Sequence, residues 1–415
     1  MKGLIFVVAL FAILIPSVQI HAAPVKTIEH RFIIGFLAGT SASERRQIIE
    51  TLGGTVLRDW PPLNAVAAEV ALPNKDAFKG NLRRHPKVSR FENDFETDWL
   101  LSDPVAVQMT TLRESFDSRA VARVRQSARR EKQSQEVQWG VRRVNAPAAW
   151  PSNQGAGVKV AIVDTGIDAS HSDLAGNVAG GYNAVNKEES WTDDHNHGTH
   201  VAGIVAAALN GQGVVGVAPQ ARLYAVKVLS ADGSGSLTSI IDGMMWCMEN
   251  GMSVANMSLG APQGNFFFEY AVNTMVQRGV TLVAAAGNDG GAVNFPAAYD
   301  AAVAVSALCP QGITETRLCL TTEEGIAAFS SRGPQVDFIA PGVKIPSTVR
   351  QNGIAAYSGT SMATPHVAGL AVLAVAKGSR TPSAIRAALM RAAVPLPGLS
   401  AEEQGRGLIN AEHLR

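Results

Sequence analysis

Several features that define large classes of protein are missing from this sequence of 415 residues. Its 36 Lys and Arg residues nearly balance 35 Asp and Glu residues. A basic N-terminal region precedes a mildly acidic remainder, and this pattern does not indicate a nucleic-acid-binding protein. No His-Glu-x-x-His motif is present, which argues against a zinc protease. Beyond the N-terminal region, no stretch is long and apolar enough to predict a transmembrane helix.

The first 22 residues have the pattern of a secretory signal peptide. Lys2 supplies a positive charge, residues 4–16 form an apolar run that is short for a bilayer span, and the small residues Ala22 and Ala23 follow. We therefore predict cleavage near residue 22 and secretion to the extracellular or periplasmic space. An uncleaved membrane anchor is the alternative.

Cysteine is also scarce, with three residues in the chain. Cys247 lies on the apolar face of a predicted helix, where a buried, unreactive thiol is expected. Cys309 and Cys319 bracket a short segment, and in an exported protein this spacing favours a disulfide that closes the loop. No histidine motif accompanies either of these two residues, so neither is expected to be a nucleophile.

What is present is a set of three blocks, far apart in the chain, that each contain one polar residue among residues suited to tight packing. Asp164 lies in residues 160–168, His197 in residues 196–204 and Ser361 in residues 359–369. In acyl transfer a hydroxyl attacks, an imidazole takes and returns the proton, and a carboxylate orients the imidazole. The three residues therefore predict a catalytic triad.

Runs of Val, Ile and Ala alternate with helical patterns through the part of the chain that carries these blocks. Strands are predicted over residues 158–163, 223–228, 253–257, 281–286 and 302–305, and helices over residues 200–209, 237–250, 267–278, 361–376 and 382–392. This pattern predicts an α/β fold with a doubly wound, mainly parallel sheet. Active residues are expected at the carboxyl ends of its strands. Pro365 is expected in the first turn of the helix that Ser361 opens.

The order Asp, His, Ser and the residues around them resemble the bacterial subtilisin-type serine proteases, or subtilases, from residue 135 to the C-terminal end. The resemblance implies a subtilisin-like fold and serine endopeptidase activity without a catalytic cofactor. It also implies that the Asn288 amide donates to the oxyanion, and that an extended peptide pairs with two edges of the site. The residues of these edges are Ser258, Leu259, Gly260 and Gly235.

Residues 28–100 form a separate region with a β-α-β-β-α-β pattern, which is typical of a ferredoxin-like α+β module. It resembles the inhibitory propeptide of subtilases and would act as an intramolecular inhibitor; an unrelated accessory domain is the alternative. A basic linker is predicted over residues 101–133 and the catalytic domain over residues 134–415. Cleavage after Leu100, after the Arg129-Arg130 pair, or at both in turn stays open.

The resemblance further implies a structural calcium site with oxygen ligands. Its side-chain ligands would be Gln135, Asp173 and Asn210, and its carbonyl ligands Ala208, Gln212 and Val214. An ion-free loop is the alternative. Asp193 and Asp194, just before His197, are interpreted as solvated loop charges, although carboxylates there would also suit basic substrate side chains.

Together these features predict a secreted, monomeric serine endopeptidase made as a self-processed zymogen. Its partners would be polypeptide substrates, with an apolar residue preferred before the scissile bond, and its own propeptide. Neither a nucleic acid nor a stable membrane anchor after signal removal is expected. A catalytically silent binding protein that retains the groove, and an esterase with the same chemistry, are the alternatives.

Overall fold

The computed structural model describes residues 24–100, 135 and 137–414. The predicted signal peptide and basic linker lie outside these residues. We call residues 24–100 the N-terminal module and residues 137–414 the main body.

The N-terminal module has alternating strands and helices. Its elements are β1 (Lys26–Phe36), α1 (Ala42–Thr51), β2 (Thr55–Trp60), β3 (Ala65–Glu69), α2 (Lys75–Arg84) and β4 (Val88–Asp98), with 3-10 turns at Pro61–Leu63 and Leu72–Asn74. Ser41 caps the start of α1, since its hydroxyl accepts a hydrogen bond from the Glu44 backbone N–H at 3.3 Å.

The strands of the module form an antiparallel sheet in the order β2-β3-β1-β4. One face packs under the two helices around Phe32, Ile34, Ile49 and Phe78. Residues of the opposite face belong to a hydrophobic cluster that continues into the main body. One side of this small sheet is therefore covered only by the rest of the chain.

The main body begins with short helices and continues as alternating strands and helices. Its first elements are α3 (Trp139–Arg143), α4 (Ala146–Ala149), β5 (Lys159–Asp164), β6 (Val178–Asn183), α5 (His197–Ala206), β7 (Arg222–Lys227), β8 (Ser234–Ser236), α6 (Leu237–Glu249), β9 (Val254–Met257), α7 (Phe266–Gln277) and β10 (Thr281–Ala285). The remainder are β11 (Val303–Cys309), β12 (Gly325–Ile326), β13 (Val336–Pro341), β14 (Ile345–Val349), β15 (Gly353–Tyr357), α8 (Thr360–Ala376), α9 (Pro382–Ala392), β16 (Ala393–Val394), α10 (Ala401–Gln404), β17 (Leu408–Ile409) and a 3-10 turn at Ala411–His413.

The predicted large parallel sheet is confirmed. Its strands run in the order β6-β7-β5-β9-β10-β11-β13-β17-β16, and these neighbours pair in parallel except β17 with β16. The short strand β12 also joins the sheet and pairs antiparallel with β11. From β5 the following strands proceed first toward one edge and then, from β9, toward the other. The carboxyl ends of β5 and β9 thus border the switch point at which open α/β sheets bind ligands.

The position predicted for Pro365 is wrong. Helix α8 begins at Thr360, and Pro365 lies inside it, beyond the first turn. Proline has no N–H to donate to the carbonyl four residues earlier, which is that of Ser361. The Ser258 hydroxyl donates to this carbonyl instead, at 2.8 Å. The cost of an internal proline is therefore reduced by a side chain from the loop after β9.

The three cysteines lie as predicted. A disulfide joins Cys309 and Cys319, which closes the loop between β11 and β12. Cys247 is a buried free thiol on α6, and burial raises the pKa of its thiol far above the ordinary value. This agrees with an unreactive residue in the core.

Candidate active site

Asp164 is the last residue of β5 and is fully buried. Its Oδ1 accepts a hydrogen bond from the Thr165 backbone N–H at 2.7 Å. Both carboxylate oxygens face Nδ1 of His197, at 2.8 and 2.9 Å. The approach is possible because residue 198 is glycine: a Cβ there would lie 2.2 Å from the Gly166 carbonyl oxygen. The sequence thus brings the first residue of α5 against the end of β5.

Asp193 organises the loop before His197, and the interpretation of this residue as a solvated charge is wrong. It is 1% exposed. Its Oδ1 accepts hydrogen bonds from the Thr165 hydroxyl and from the backbone N–H groups of His195 and Asn196; its Oδ2 accepts from the N–H and hydroxyl of Thr199. Burial opposes ionisation, but these hydrogen bonds outweigh it and lower the pKa of Asp193.

Asp194 is half-exposed and differs from its neighbour. Its Oδ1 accepts a hydrogen bond from Nζ of the buried residue Lys227 at 2.6 Å. Sequence reasoning missed Lys227, because a lysine at the end of a strand carries no local signal of its function. A buried lysine side chain next to the candidate catalytic residue Asp164 is recognisable only once the fold is known.

Ser361 lies in the first turn of α8 and is 3% exposed. Its Oγ donates a hydrogen bond to the Ser258 carbonyl at 3.2 Å, and the Ser258 Oγ donates to the Ser361 carbonyl. The two serines therefore connect the start of α8 to the loop after β9. This loop is one of the two edges predicted to bind peptides.

Asn288 follows β10 and is held in one orientation. Its Oδ1 accepts hydrogen bonds from the backbone N–H and the hydroxyl of Thr360, both at 2.8 Å. The amide oxygen is therefore occupied next to Ser361, and the amide nitrogen retains its donor capacity. Gly287, just before it, has φ of +119° and donates its N–H to the Thr360 hydroxyl. A side-chain donor fixed in this way can stabilise an oxyanion.

Both predicted peptide-binding edges contact the end of the N-terminal module. Residues 96–98 of β4 pair antiparallel with β8, so that Thr97 lies opposite Gly235. Trp99 then donates its N–H to the Gly233 carbonyl at 3.2 Å and accepts from the Gly260 N–H at 2.9 Å. An extended segment thus lies between the two edges, in the manner of strand addition.

The side chain of Trp99 is fully buried at this junction. Its ring stacks on Phe95 and meets Phe268 of α7 edge to face, with centroids 5.7 Å apart in both pairs. The indole N–H donates to the Gly235 carbonyl at 2.7 Å. The tryptophan therefore joins the module to the main body through both apolar and polar contacts.

The residues predicted to bind calcium lie mostly together. Nε2 of Gln135 is 2.7 Å from the carbonyl oxygens of Ala208 and Val214. Buried Asp173 accepts from the Val214 N–H, and the Asn210 amide lies 3.4 Å from its Oδ1. Gln212 contributes its N–H to Asn210. Several oxygens and one carboxylate around one loop are a ligand set that suits calcium.

Comparisons with known proteins identify the family of this chain. Residues 155–407 match the subtilase family. Subtilisin Savinase of Lederbergia lenta is 48% identical over 67% of this chain and 98% of its own length. Subtilisin J of Geobacillus stearothermophilus is 35% identical over 99% of this chain and 97% of its own length. Within the described ranges, no helix has the length and apolar character of a membrane span. The chain belongs to the subtilase family and is a serine endopeptidase that acts on polypeptides.

Proposed function

We propose that Asp164, His197 and Ser361 form the catalytic triad of this peptidase. The observation that carries the proposal is the buried contact between Asp164 and His197 Nδ1 at 2.8 Å. Helix α5, which begins at His197, and helix α8, which carries Ser361, pack in the same hydrophobic cluster. Ser361 Oγ attacks the peptide carbonyl and forms an acyl-enzyme, while His197 accepts the hydroxyl proton and returns it to the leaving amine. Asp164 keeps Nδ1 protonated and stabilises the imidazolium. Water then releases the acyl group by the same steps.

The oxyanion of the tetrahedral intermediate would be bound by the Asn288 amide. The partial positive charge at the amino end of α8 would add to this interaction. Both groups are in place before substrate binds, because Thr360 fixes the Asn288 oxygen. Little reorganisation is then needed as charge develops.

Substrates would bind as extended strands between Gly235 on one side and Ser258, Leu259 and Gly260 on the other. The pairing of residues 96–99 with these edges supports this assignment. An apolar residue before the scissile bond stays our expectation for the preferred substrate.

The N-terminal module would be an inhibitory propeptide that blocks the groove in this way. Its β-α-β-β-α-β order and antiparallel sheet agree with a ferredoxin-like propeptide. The similarity to Subtilisin J extends over 99% of the chain and so includes the N-terminal module. We propose a signal peptide at residues 1–22, the propeptide at 28–100, a linker at 101–133 and the catalytic domain at 134–415. The product would be a secreted monomer.

Intact mass and N-terminal sequencing of the purified chain test this proposal. The wild-type chain should lose its N-terminal module, whereas the Ser361→Ala chain should keep it. Ser379→Ala, just beyond α8, is the matched control and should be processed like wild type. Retention of peptidase activity by Ser361→Ala would refute the assigned nucleophile. Equal processing of both chains would refute self-processing, and the new terminus in wild type identifies the cleaved bond.

We also propose a structural calcium ion held by Gln135, Asp173, Asn210 and the carbonyl oxygens of Ala208, Gln212 and Val214. The carbonyl oxygens of Ala208 and Val214, which now accept hydrogen bonds from Gln135 Nε2, would bind the cation together with the Asp173 carboxylate. In the Ser361→Ala chain, calcium should raise the thermal unfolding midpoint and a chelator should lower it. Asp173→Asn should remove this difference. An equal response in Asp173→Asn would place the ion elsewhere.

A further inference from the structure

Lys227 is a buried charged residue that none of the proposed catalytic steps uses. It ends β7, where its Cα pairs in register with Asp164 at the end of β5. Its side chain is 6% exposed. Burial of an ammonium group costs several kcal/mol unless hydrogen bonds compensate, so a lysine at this position needs a physical reason.

The three donors of the Lys227 ammonium reach three separate segments of the active site. Nζ donates to the Thr165 carbonyl at 2.9 Å, to the Leu229 carbonyl at 2.8 Å and to Asp194 Oδ1 at 2.6 Å. Thr165 follows the triad carboxylate, Leu229 leads into the peptide-binding strand β8, and Asp194 precedes the triad histidine. One cation thus connects the acid, the base and the substrate edge.

The charge balance around this cation is asymmetric. Two of its acceptors are neutral carbonyls, and Asp194, with a side chain 47% exposed, is its carboxylate partner. Water weakens the field of Asp194 more than the field of Lys227. The other titratable or charged groups near His197 are Asp164, Asp193, His195, His200 and Arg350, whose guanidinium donates to the Asp194 carbonyl.

We propose that Lys227 is a positioning residue for the Asp164–His197 pair, and that the Lys227–Asp194 ion pair sets the pH range in which that pair works. The inference rests on the proposed triad. The ammonium holds the two segments that carry the acid and the base at a fixed separation. Its positive charge also opposes the formation of the His197 imidazolium, whereas Asp194 favours it.

The opposite charges of Lys227 and Asp194 predict opposite shifts of the pH profile when each residue is replaced. Asp194→Asn leaves Lys227 uncompensated, so the acid limb of the kcat/KM profile should move to lower pH by about half a unit at low ionic strength. Lys227→Met leaves Asp194 uncompensated, so the limb should move to higher pH by about half a unit. A purely structural defect would lower activity without this change of sign.

A variant that preserves the charge separates the positioning effect of Lys227 from its electrostatic effect. Lys227→Arg retains the positive charge, but a planar guanidinium does not direct three donors as an ammonium does. Its acid limb should stay within about 0.2 pH units of wild type while kcat falls about tenfold. The matched control is Lys159→Met, a lysine at the opposite end of β5, about 16 Å from the catalytic end. This control should change neither quantity.

The experiment measures pH profiles of the full chains after maturation, with active-site titration of each preparation. Unchanged acid limbs in both Asp194→Asn and Lys227→Met, or shifts in the same direction, would overturn the inference. If Lys227→Met does not mature, Asp194→Asn decides the outcome by its shift and by loss of that shift at high salt. An active Ser361→Ala chain would instead refute the proposed triad, so the two failures are distinguishable.

Discussion

The N-terminal module and the main body bury their apolar residues in different ways. The main body has a parallel sheet with a hydrophobic cluster on each face, and both clusters contain its own helices. The module has a compact cluster under α1 and α2, but the other face of its sheet belongs to one of the clusters of the main body. Trp60, Phe95 and Trp99 are among the residues on that shared face.

The main body therefore buries its apolar residues largely among its own elements, whereas the module needs the main body to cover one face of its sheet. A module of this size is marginal when folded alone, because a small chain buries only about 60% of its surface. Here it gains apolar contacts and polar partners from α6. Asp94 accepts from the N–H and hydroxyl of Thr238, and Asp242 accepts from Arg58 and from the indole of Trp60. We therefore expect catalysis to depend on the main body, and the stability of the module to depend on its docking.

The largest expected effect lies in the main body. Asn288→Ala should lower kcat about 10²–10³-fold, a range set by the corresponding donor of subtilisin itself, with a small change in KM. Steady-state kinetics of the matured enzyme measure this. Asn250→Ala, an exposed residue at the end of α6, is the control. A raised KM with unchanged kcat would assign the amide to ground-state binding instead.

The module should be most sensitive at Trp99. In the Ser361→Ala chain, Trp99→Ala removes a fully buried ring, which should lower the free energy of local opening by about 3 kcal/mol. Hydrogen exchange should then quicken in β1 and β4 but stay unchanged in β5 and β9. Leu72→Ala, at an exposed position of the module, should leave exchange unaltered. Equal acceleration in both regions would contradict independent docking.

The disulfide should contribute to the main body alone. Its partners are ten residues apart, and closure of so short a loop typically stabilises a fold by about 2–3 kcal/mol. Replacement of Cys309 and Cys319 together by Ser should lower the urea midpoint of the Ser361→Ala chain, and reductant should have the same effect on the parent. Reductant should not affect the double variant. A lower kcat at temperatures where the fold is intact would show that the loop also serves the active site.

A fall in pH should destabilise the main body but favour the folded, docked state of the module. Burial lowers the pKa of His200 to about 3 and that of His366 to about 4, against ordinary values of 6.5. Unfolding raises these values, so the unfolded chain binds more protons and the main body loses stability as the pH falls below 6.5. Between pH 6.5 and its folded pKa, each histidine should lower the free energy of unfolding by about 1 kcal/mol for each pH unit of acidification.

Burial instead raises the pKa of Asp94, which lies between the module and α6. The contribution of Asp94 to stability is fully present below pH 3.8, the ordinary pKa of its carboxyl group, and is lost as the pH rises through the folded pKa. Urea unfolding of the Ser361→Ala chain between pH 7 and 4 measures both regions. His200→Gln should flatten the curve for the main body, and Asp94→Asn should flatten module opening measured by hydrogen exchange. If stability depends on pH in the same way in these variants as in the parent, His200 and Asp94 are not the cause of the pH dependence.

Local sequence was sufficient where a short pattern determines the structure. Helix α9 has the predicted bounds, because apolar periodicity and the capping residue Thr381 define it locally. The strands β6, β13, β14 and β15 were not predicted. Glycine-rich or alternating short runs such as residues 178–183 resemble loops until neighbouring strands pair with them.

The sequence by itself determined the residue types for acyl transfer, their order, the subtilase resemblance and the α/β class, because chemistry and periodicity are carried by short segments. Tertiary structure alone decided that Asp193 is buried and holds the loop before His197 by hydrogen bonds. It also decided that Ser258 replaces the hydrogen bond lost at Pro365 and that Lys227 connects three parts of the site. Ser258 and Ser361 are 103 residues apart, and Asp194 and Lys227 are 33 apart. Contacts over such separations depend on how strands are ordered in the sheet, which no local pattern specifies.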